Sequence, residues 1–154
     1  MAEIVRGVVP EGYLGKKAYS DRLALVSKND AAFPSSMKKK DLASYSWLLR
    51  DSNSGTRLSF DNVLSIEGLR VSPTLESTSN ASLLAFAEKG LGIAVIPVSL
   101  AKPSLSSKRI KEITIEGLAF PRSVYLVYGK AAHLSEQHQK FLAYLLKQFP
   151  LSEN

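Results

Sequence analysis

The feature that most constrains the fold is an alternation of apolar runs and helix-forming segments between residues 45 and 96. Apolar runs occupy residues 45–50, 71–76 and 92–96, and segments with apolar residues at helical spacing separate them at 57–67 and 80–89. Such an alternation is typical of two successive βαβ units, which wind right-handedly into a parallel sheet. The sequence therefore predicts an α/β fold.

Two glycines in "EKGLGIAVIP", residues 88–97, raise the question of a nucleotide-binding loop. In a dinucleotide fingerprint the glycines follow a strand and open a helix. Here they follow a helix and open a buried strand, and the third glycine is missing. We therefore predict a structural joint and no cofactor, with Gly90 left-handed at the helix end and Gly92 at close helix–strand packing. Gly68 is expected to end the preceding helix in the same way.

The rest of the chain also divides into strands and helices. A long strand is predicted at Lys16–Lys28, a short helix around Asp41–Ser44 and another helix beginning at Pro97, a favoured first helical position. Strands are predicted at 109–115 and Ser123–Lys130, and a terminal helix at 135–149. Apolar residues at helical spacing predict the buried stripe of that last helix: Phe141, Leu142, Leu145, Leu146 and Phe149.

Composition argues against most enzyme classes. The 154 residues include no cysteine, so a thiol nucleophile, a disulfide and a thiolate metal site are excluded. His133 and His138 are five residues apart and miss the i, i+4 spacing of a helical metal site, and no Gly-x-Ser-x-Gly elbow occurs. We expect no catalytic residue and no metal ligand.

The net charge of +6 raises a second alternative, a nucleic-acid surface. The basic residues are scattered apart from Lys38, Lys39 and Lys40. No aromatic residues lie between these lysines, so a solvated helix start is favoured over a phosphate-binding patch. The amino-terminal residues contain no long apolar run, which predicts no signal peptide, no membrane span and a cytoplasmic location.

Small hydroxyl and amide side chains follow the three predicted parallel strands. Ligands of open parallel sheets bind beyond the carboxyl ends of the strands, and free N–H groups at helix starts favour small anions there, such as a carboxylate. Helix capping alone would also explain these residues, and one residue can do both. The candidate ligand-binding residues from the first two strand ends are Ser52, Asn53, Ser54, Gly55, Thr56, Ser77, Thr78, Ser79 and Asn80.

The segments "SNSGTR", "LESTSNASLLAFAEKGLGIAVIPVSL" and "SVYLVYGKAAHLSEQHQKFLAYLLKQF" resemble the effector-binding domain of LysR-type bacterial transcriptional regulators. The resemblance runs from "AEIVRG" to the last helix. It implies a periplasmic-binding-protein-like fold (type 2), with two lobes, two crossover strands and a small inducer in the cleft. It also adds the turn after the third strand to the candidate ligand-binding residues: Ile96, Pro97 and Val98.

The resemblance further implies how the chain is organised. Residues 28–122 would form most of the second lobe, and 1–27 with 123–154 would supply the crossover strands and a remnant of the first lobe. Nothing corresponds to the helix-turn-helix domain through which such regulators bind DNA, so the chain is expected to be a fragment or a truncated product, and a homodimer is possible for it. The alternative is a solute-binding protein of the same fold serving transport.

Overall fold

The computed structural model describes residues 2–6, 9–129 and 135–148. The chain forms two compact units, a larger one from Arg22 to Pro121 and a smaller one from the described residues up to Asp21 and from Arg122 onwards. In chain order the elements are β1 (Ala2–Arg6), β2 (Leu14–Lys28), β3 (Ser36–Met37), a 3-10 helix (Lys39–Ser44), β4 (Trp47–Arg50), α1 (Gly55–Ile66), β5 (Pro73–Ser77), α2 (Asn80–Glu88), β6 (Ile93–Pro97), α3 (Val98–Ser106), β7 (Ile110–Ile115), β8 (Pro121–Tyr128) and α4 (Glu136–Gln148).

The larger unit contains the predicted parallel sheet. Strand β4 lies between β5 and β6 and pairs with both in parallel, and β5 is the edge strand. The part of β2 that belongs to this unit pairs antiparallel with β6 and β7. The edge position of β5 suits Pro73, whose missing N–H is tolerated there.

Helices cover both faces of this sheet. Neighbouring residues of a strand point to opposite faces, so both faces carry apolar side chains that must be buried. Trp47 and Leu49 of β4 belong to one core cluster, which also includes Phe60 and Leu64 of α1. Leu48 belongs to the other cluster, which includes Leu83 and Ala87 of α2 and Ala101 of α3. The chain therefore leaves β4 towards one face and leaves β5 and β6 towards the other, which is a doubly wound arrangement.

The α-helices α1, α2 and α3 of the larger unit are each followed by a left-handed residue. Gly68 after α1 and Gly90 after α2 have φ angles of 67° and 79°, so both predictions are confirmed. Lys108 takes the same position after α3 with φ 57°, and its N–H donates to Leu105 O while the N–H of Arg109 donates to Ser104 O. This is the bonding of a Schellman motif, in which a non-glycine residue costs about 1 kcal/mol.

Gly92 makes a close approach, although not to a helix as predicted. A Cβ at this position would lie 2.5 Å from the carbonyl oxygen of Ser46, which precedes β4. The N–H of Ile93 donates to that same oxygen at 2.8 Å. The glycine is therefore required by strand-to-loop packing at the start of β6.

Several predicted boundaries shift in the structure. The helix expected at 57–67 begins at Gly55, and the strand expected at 71–76 begins at Pro73. The prediction that Pro97 is the first helical residue is wrong, because Pro97 pairs with Leu23 as the last residue of β6 and its ψ of 134° is extended. Pro97 is therefore the N-cap residue of α3.

The smaller unit contains β1, the first part of β2, β8 and α4, and β1 pairs antiparallel with β8. Asp21 and Arg122 form an ion pair here, and their side chains are only 4% and 2% exposed. On α4, Leu142 is buried as predicted, but Phe141 is 56% exposed, so the predicted stripe is wrong at that position. Lys130, His133, Phe149 and the side chain of Leu146 lie outside the described residues.

Candidate functional site

The carboxyl ends of β4, β5 and β6 lie at one edge of the sheet, which we call the strand-end edge (residues 51–56, 77–80 and 96–98). Arg50 is paired with Ser77 in the ladder between β4 and β5, and the N–H of Asp51 donates to Ser77 O at 3.2 Å. Because β6 runs parallel to β4 on its other side, Ile96–Val98 ends at the same edge. The first two predicted loops are thus neighbours.

The loop before α1 uses part of its polar groups in capping. Ser54 is the N-cap residue of α1, and its Oγ accepts from the N–H of Thr56 at 3.2 Å. Ser54 and Thr56 are buried, Gly55 is partly buried, and Ser52 and Asn53 are exposed. Ser52 and Asn53 are therefore the exposed polar residues of this loop.

The loop before α2 is tied down more tightly. Ser77 Oγ accepts from the N–H of Ser79 at 3.1 Å, and Ser79 Oγ caps the helix by accepting from the N–H of Ser82 at 3.2 Å. Thr78 is exposed between them. Asn80 Oδ1 is buried without a hydrogen-bond partner in the described part of the chain.

The third strand end differs from the other two because it offers no hydroxyl within Ile96–Val98. Ile96 is fully buried, Pro97 is buried and Val98 is half-buried. Since no side chain caps α3, the free N–H groups of its first turn are the polar groups of this turn. The turn can thus supply an apolar wall and backbone donors.

An ion network that was not predicted from the sequence lies next to these loops. Arg57 Nε donates to Asp61 at 2.7 Å, and its Nη1 donates to Glu76 at 2.9 Å and to Arg50 O at 3.2 Å. Burial alone would lower the pKa of Arg57, but the hydrogen bonds to Glu76 and Asp61 outweigh burial and raise the pKa. The i, i+4 spacing of Arg57 and Asp61 is the signal that could have revealed part of this network.

Arg50 adds a second guanidinium at the strand-end edge. Its Nε donates to Ser77 O at 3.2 Å and its Nη2 to Asp51 Oδ2 at 3.2 Å, with a side chain that is only 17% exposed. Arg50 therefore fixes the loop that carries Thr78 to the end of β4. The network as a whole tethers α1, β4 and β5 where the first two loops emerge.

The described residues were also compared with the requirements of a metal site and of a membrane-spanning helix. Among residues 2–6, 9–129 and 135–148, no group of three or more His, Asp or Glu residues could hold a metal ion. His138 is exposed and bonded to Ser135 at the start of α4. Within the same residues, no helix is both long enough and apolar enough to span a membrane.

A family model described as the LysR substrate binding domain matches residues 4–150. The chain is 24% identical over 123 residues to the HTH-type transcriptional regulator CbbR of Rhodospirillum rubrum, covering 80% of this chain and 41% of the relative. It is 30% identical over 99 residues to the HTH-type transcriptional activator CmpR of a Synechocystis strain, covering 64% of this chain and 32% of the relative. The chain thus spans about a third to two fifths of the length of these relatives.

Solved structures share the fold. The regulatory domain of Synechocystis CcmR, described in complex with 2-PG, superposes with a TM-score of 0.80 at 22% identity, covering 98% of this chain and 74% of the other. The effector-binding domain of QuiR, described in complex with shikimate, superposes with a TM-score of 0.74 at 18% identity, covering 95% and 71%. The predicted fold class, that of LysR effector-binding domains, is confirmed.

Proposed function

The chain belongs to the LysR substrate-binding domain family, and we propose that it is the effector-sensing part of a bacterial transcriptional regulator, binding a small anion at the strand-end edge. The observation that carries the proposal is the adjacency of the two loops that lead into α1 and α2, where the N–H of Asp51 donates to Ser77 O. Helix N-termini present unpaired N–H groups and a positive dipole end, both of which favour anions.

The exposed polar residues define which side chains would contact the ligand. Ser52, Asn53 and Thr78 are exposed at the strand-end edge, whereas Ser54 and Ser79 use their hydroxyls to cap helices. We therefore assign direct ligand contacts to Ser52, Asn53 and Thr78, and a positioning role to Ser54 and Ser79. Gly55, Thr56, Ser77, Asn80 and the 96–98 turn would shape the pocket through backbone groups and apolar surface.

The charges near the loops set a limit on the ligand. Arg50 and Arg57 stand beside Asp51, Asp61 and Glu76, and both guanidinium groups are already paired with carboxylates. The ligand would therefore be held by helix N-termini and hydroxyls rather than by a free cation. A singly charged carboxylate fits this environment better than a group of higher charge.

In this proposal the chain has a regulatory role and no catalytic one, in the cytoplasm. Residues 28–122 would form the ligand-binding second lobe, with 1–27 and 123–154 supplying crossover strands and part of the first lobe. DNA would be recognised by a helix-turn-helix domain of the whole regulator.

The 2-PG and shikimate complexes of two structural neighbours support a small-molecule effector as the ligand class.

The test measures ligand-observed saturation transfer from the protein to acetate and shikimate. Thr78→Val removes an exposed hydroxyl at the strand-end edge without changing side-chain volume. Thr74→Val is the matched control, because Thr74 is exposed on β5 before the strand end. Because donors from the strand-end edge alone would hold the ligand, we expect a millimolar affinity, which is a binding free energy of about −4 kcal/mol. Thr78→Val should lower this affinity by about threefold or more, and Thr74→Val should leave it unchanged. Equal binding by both variants, or no transfer to either ligand, would contradict the proposal.

A further inference from the structure

The sheet of the larger unit has a second edge, opposite the strand-end edge, and basic side chains cluster there. We call this surface the basic edge (residues 28–30, 88–90 and 108–111). The N–H of Asn29 donates to Arg109 O at 3.2 Å, and Asn29 Nδ2 donates to Lys108 O at 3.1 Å. Arg109 Nε lies 3.2 Å from Glu88 Oε1. The end of β2, the end of α2 and the start of β7 thus form one continuous surface.

The basic edge carries an excess of positive charge. Lys28 is 3.5 Å from Asp30, Arg109 is paired with Glu88, and both pairs leave their cations about half exposed. Lys89 and Lys108 are exposed and have no carboxylate partner in the described part of the chain. Lys111 is half-buried, and its ammonium group donates to the backbone carbonyls of Asp30 and Phe33. Four outward cations therefore stand against two carboxylates on this surface: Lys28, Lys89, Lys108 and Arg109 against Asp30 and Glu88.

Lys108 is held in a conformation that a lysine adopts at a cost. It occupies, with φ 57°, the position after a helix that Gly68 and Gly90 occupy after α1 and α2. Glycine would take this conformation without strain, whereas the hydrogen bond from Asn29 keeps the lysine there. A backbone outlier maintained by its surroundings points to a use for the side chain, and here the side chain is an exposed ammonium group.

We propose that the basic edge contacts the phosphate backbone of duplex DNA without reading its sequence. The proposal rests on the proposed function, because a helix-turn-helix domain in the same regulator would hold DNA at high effective concentration. Exposed ammonium groups of several neighbouring lysines suit phosphate contacts, which neutralise charge and release counterions. A protein partner would require a more apolar centre than this surface offers, where Leu91 is the exposed large apolar side chain beside Gly90.

The experiment measures fluorescence anisotropy of a labelled duplex of arbitrary sequence, about 25 base pairs long, at several salt concentrations. The double variant Lys89→Gln with Lys108→Gln removes both unpaired lysines of the basic edge. The matched control is Lys38→Gln with Lys40→Gln, which lowers the net charge equally but lies elsewhere on the surface. We expect the first variant to bind about tenfold more weakly at low salt and to lower the slope of log affinity against log salt by about 2, whereas the control changes little.

A second variant keeps the test independent of folding. Lys108→Gly should raise the melting temperature by about 2 °C while it weakens DNA binding, since the strain and the charge disappear together. Equal losses in the basic-edge variant and the control would overturn the proposal, and so would undiminished binding by Lys108→Gly. Tighter binding of poly-glutamate than of DNA would also overturn the proposal and would indicate an acidic protein as the partner of the basic edge. None of these results depends on effector binding at the strand-end edge, so the two proposals fail separately.

Discussion

The two edges of the sheet in the larger unit are built from the same helices and strands but present opposite chemistry. At the strand-end edge α1 and α2 begin, capped by Ser54 and Ser79. At the basic edge α2 and α3 end, followed by Lys89 and Lys108. Helix dipoles favour acceptors and anions at the first edge and cations at the second. In the two proposals, the first edge would bind a small anion and the second would bind a polyanion, and the direction of the helices alone would separate them.

The largest expected effect concerns packing at the start of β6, below the basic edge. In Gly92→Ala the new Cβ would lie 2.5 Å from the Ser46 carbonyl oxygen, a backbone atom that cannot move without disturbing β4. We expect a loss of about 2–3 kcal/mol in the free energy of unfolding, measured by urea denaturation. Gly68→Ala is the control: its Cβ meets no atom within 4 Å, so only backbone strain of about 1 kcal/mol remains. Equal losses in the two variants would show that the close approach is unimportant.

The next prediction compares two helix ends at the basic edge and expects opposite signs. Gly90→Val should cost about 1–2 kcal/mol, because a β-branched residue is strained at φ 79°. Lys108→Gly should instead stabilise the protein by about 0.5–1 kcal/mol, since it relieves the same strain at the end of α3. Thermal unfolding of both variants measures the difference. An unchanged melting temperature in Gly90→Val would show that the left-handed conformation after α2 does not require a glycine.

A third prediction separates capping hydroxyls from free hydroxyls at the strand-end edge. Ser79→Ala should cost about 1 kcal/mol of stability, because Ser79 Oγ accepts from the N–H of Ser82. Thr78→Val should change stability by less than about 0.5 kcal/mol, since Thr78 is exposed. Denaturant midpoints of the two variants provide the measurement. If Thr78→Val were the more destabilising change, Thr78 would be a structural residue and its assignment to the ligand would be wrong.

The weakest interaction among these tests is the ion network beside the strand-end edge. Arg57→Gln breaks the contacts with Asp61 and Glu76, whose side chains are 42% and 49% exposed, so the loss should be only about 0.5–1 kcal/mol. The loss should shrink in 1 M NaCl because salt screens partly exposed pairs. Urea denaturation at low and high salt tests this. A loss that is independent of salt would assign the role of Arg57 to its packing and its bond to Arg50 O.

The sequence predicted the sheet of the larger unit because the signals there are local. Apolar runs, helical spacing and the glycines at 68 and 90 each have a direct physical meaning, and the order of elements then determined which loops adjoin. Pro97 was expected inside the helix because its fixed φ, here −57°, suits the first helical position, whereas its ψ of 134° and its pairing with Leu23 place it at the end of β6. Phe141 was misplaced because periodicity alone cannot tell what covers a helix.

The candidate site was less accessible to sequence reasoning. The adjacency of the strand-end loops could be predicted from the topology. That Ser79 caps α2 while Thr78 is exposed could not, because it depends on hydrogen bonds that composition does not encode. The tether from Arg57 to Glu76 joins residues 19 apart, and no spacing rule predicts it. The basic edge brings together three segments that are far apart in the chain, which is why its lysines looked scattered in the sequence.

The most direct test of the contrast between the two edges is a map of backbone amide shifts. ¹⁵N-labelled protein is titrated separately with acetate and with a short DNA duplex at low salt. We expect acetate to shift the amides of residues 52–56 and 77–80, and DNA to shift those of 28–30, 88–90 and 108–111. Shifts at the same residues with both additions, or acetate shifts confined to the basic edge, would show that the two edges do not differ in the ligands they bind.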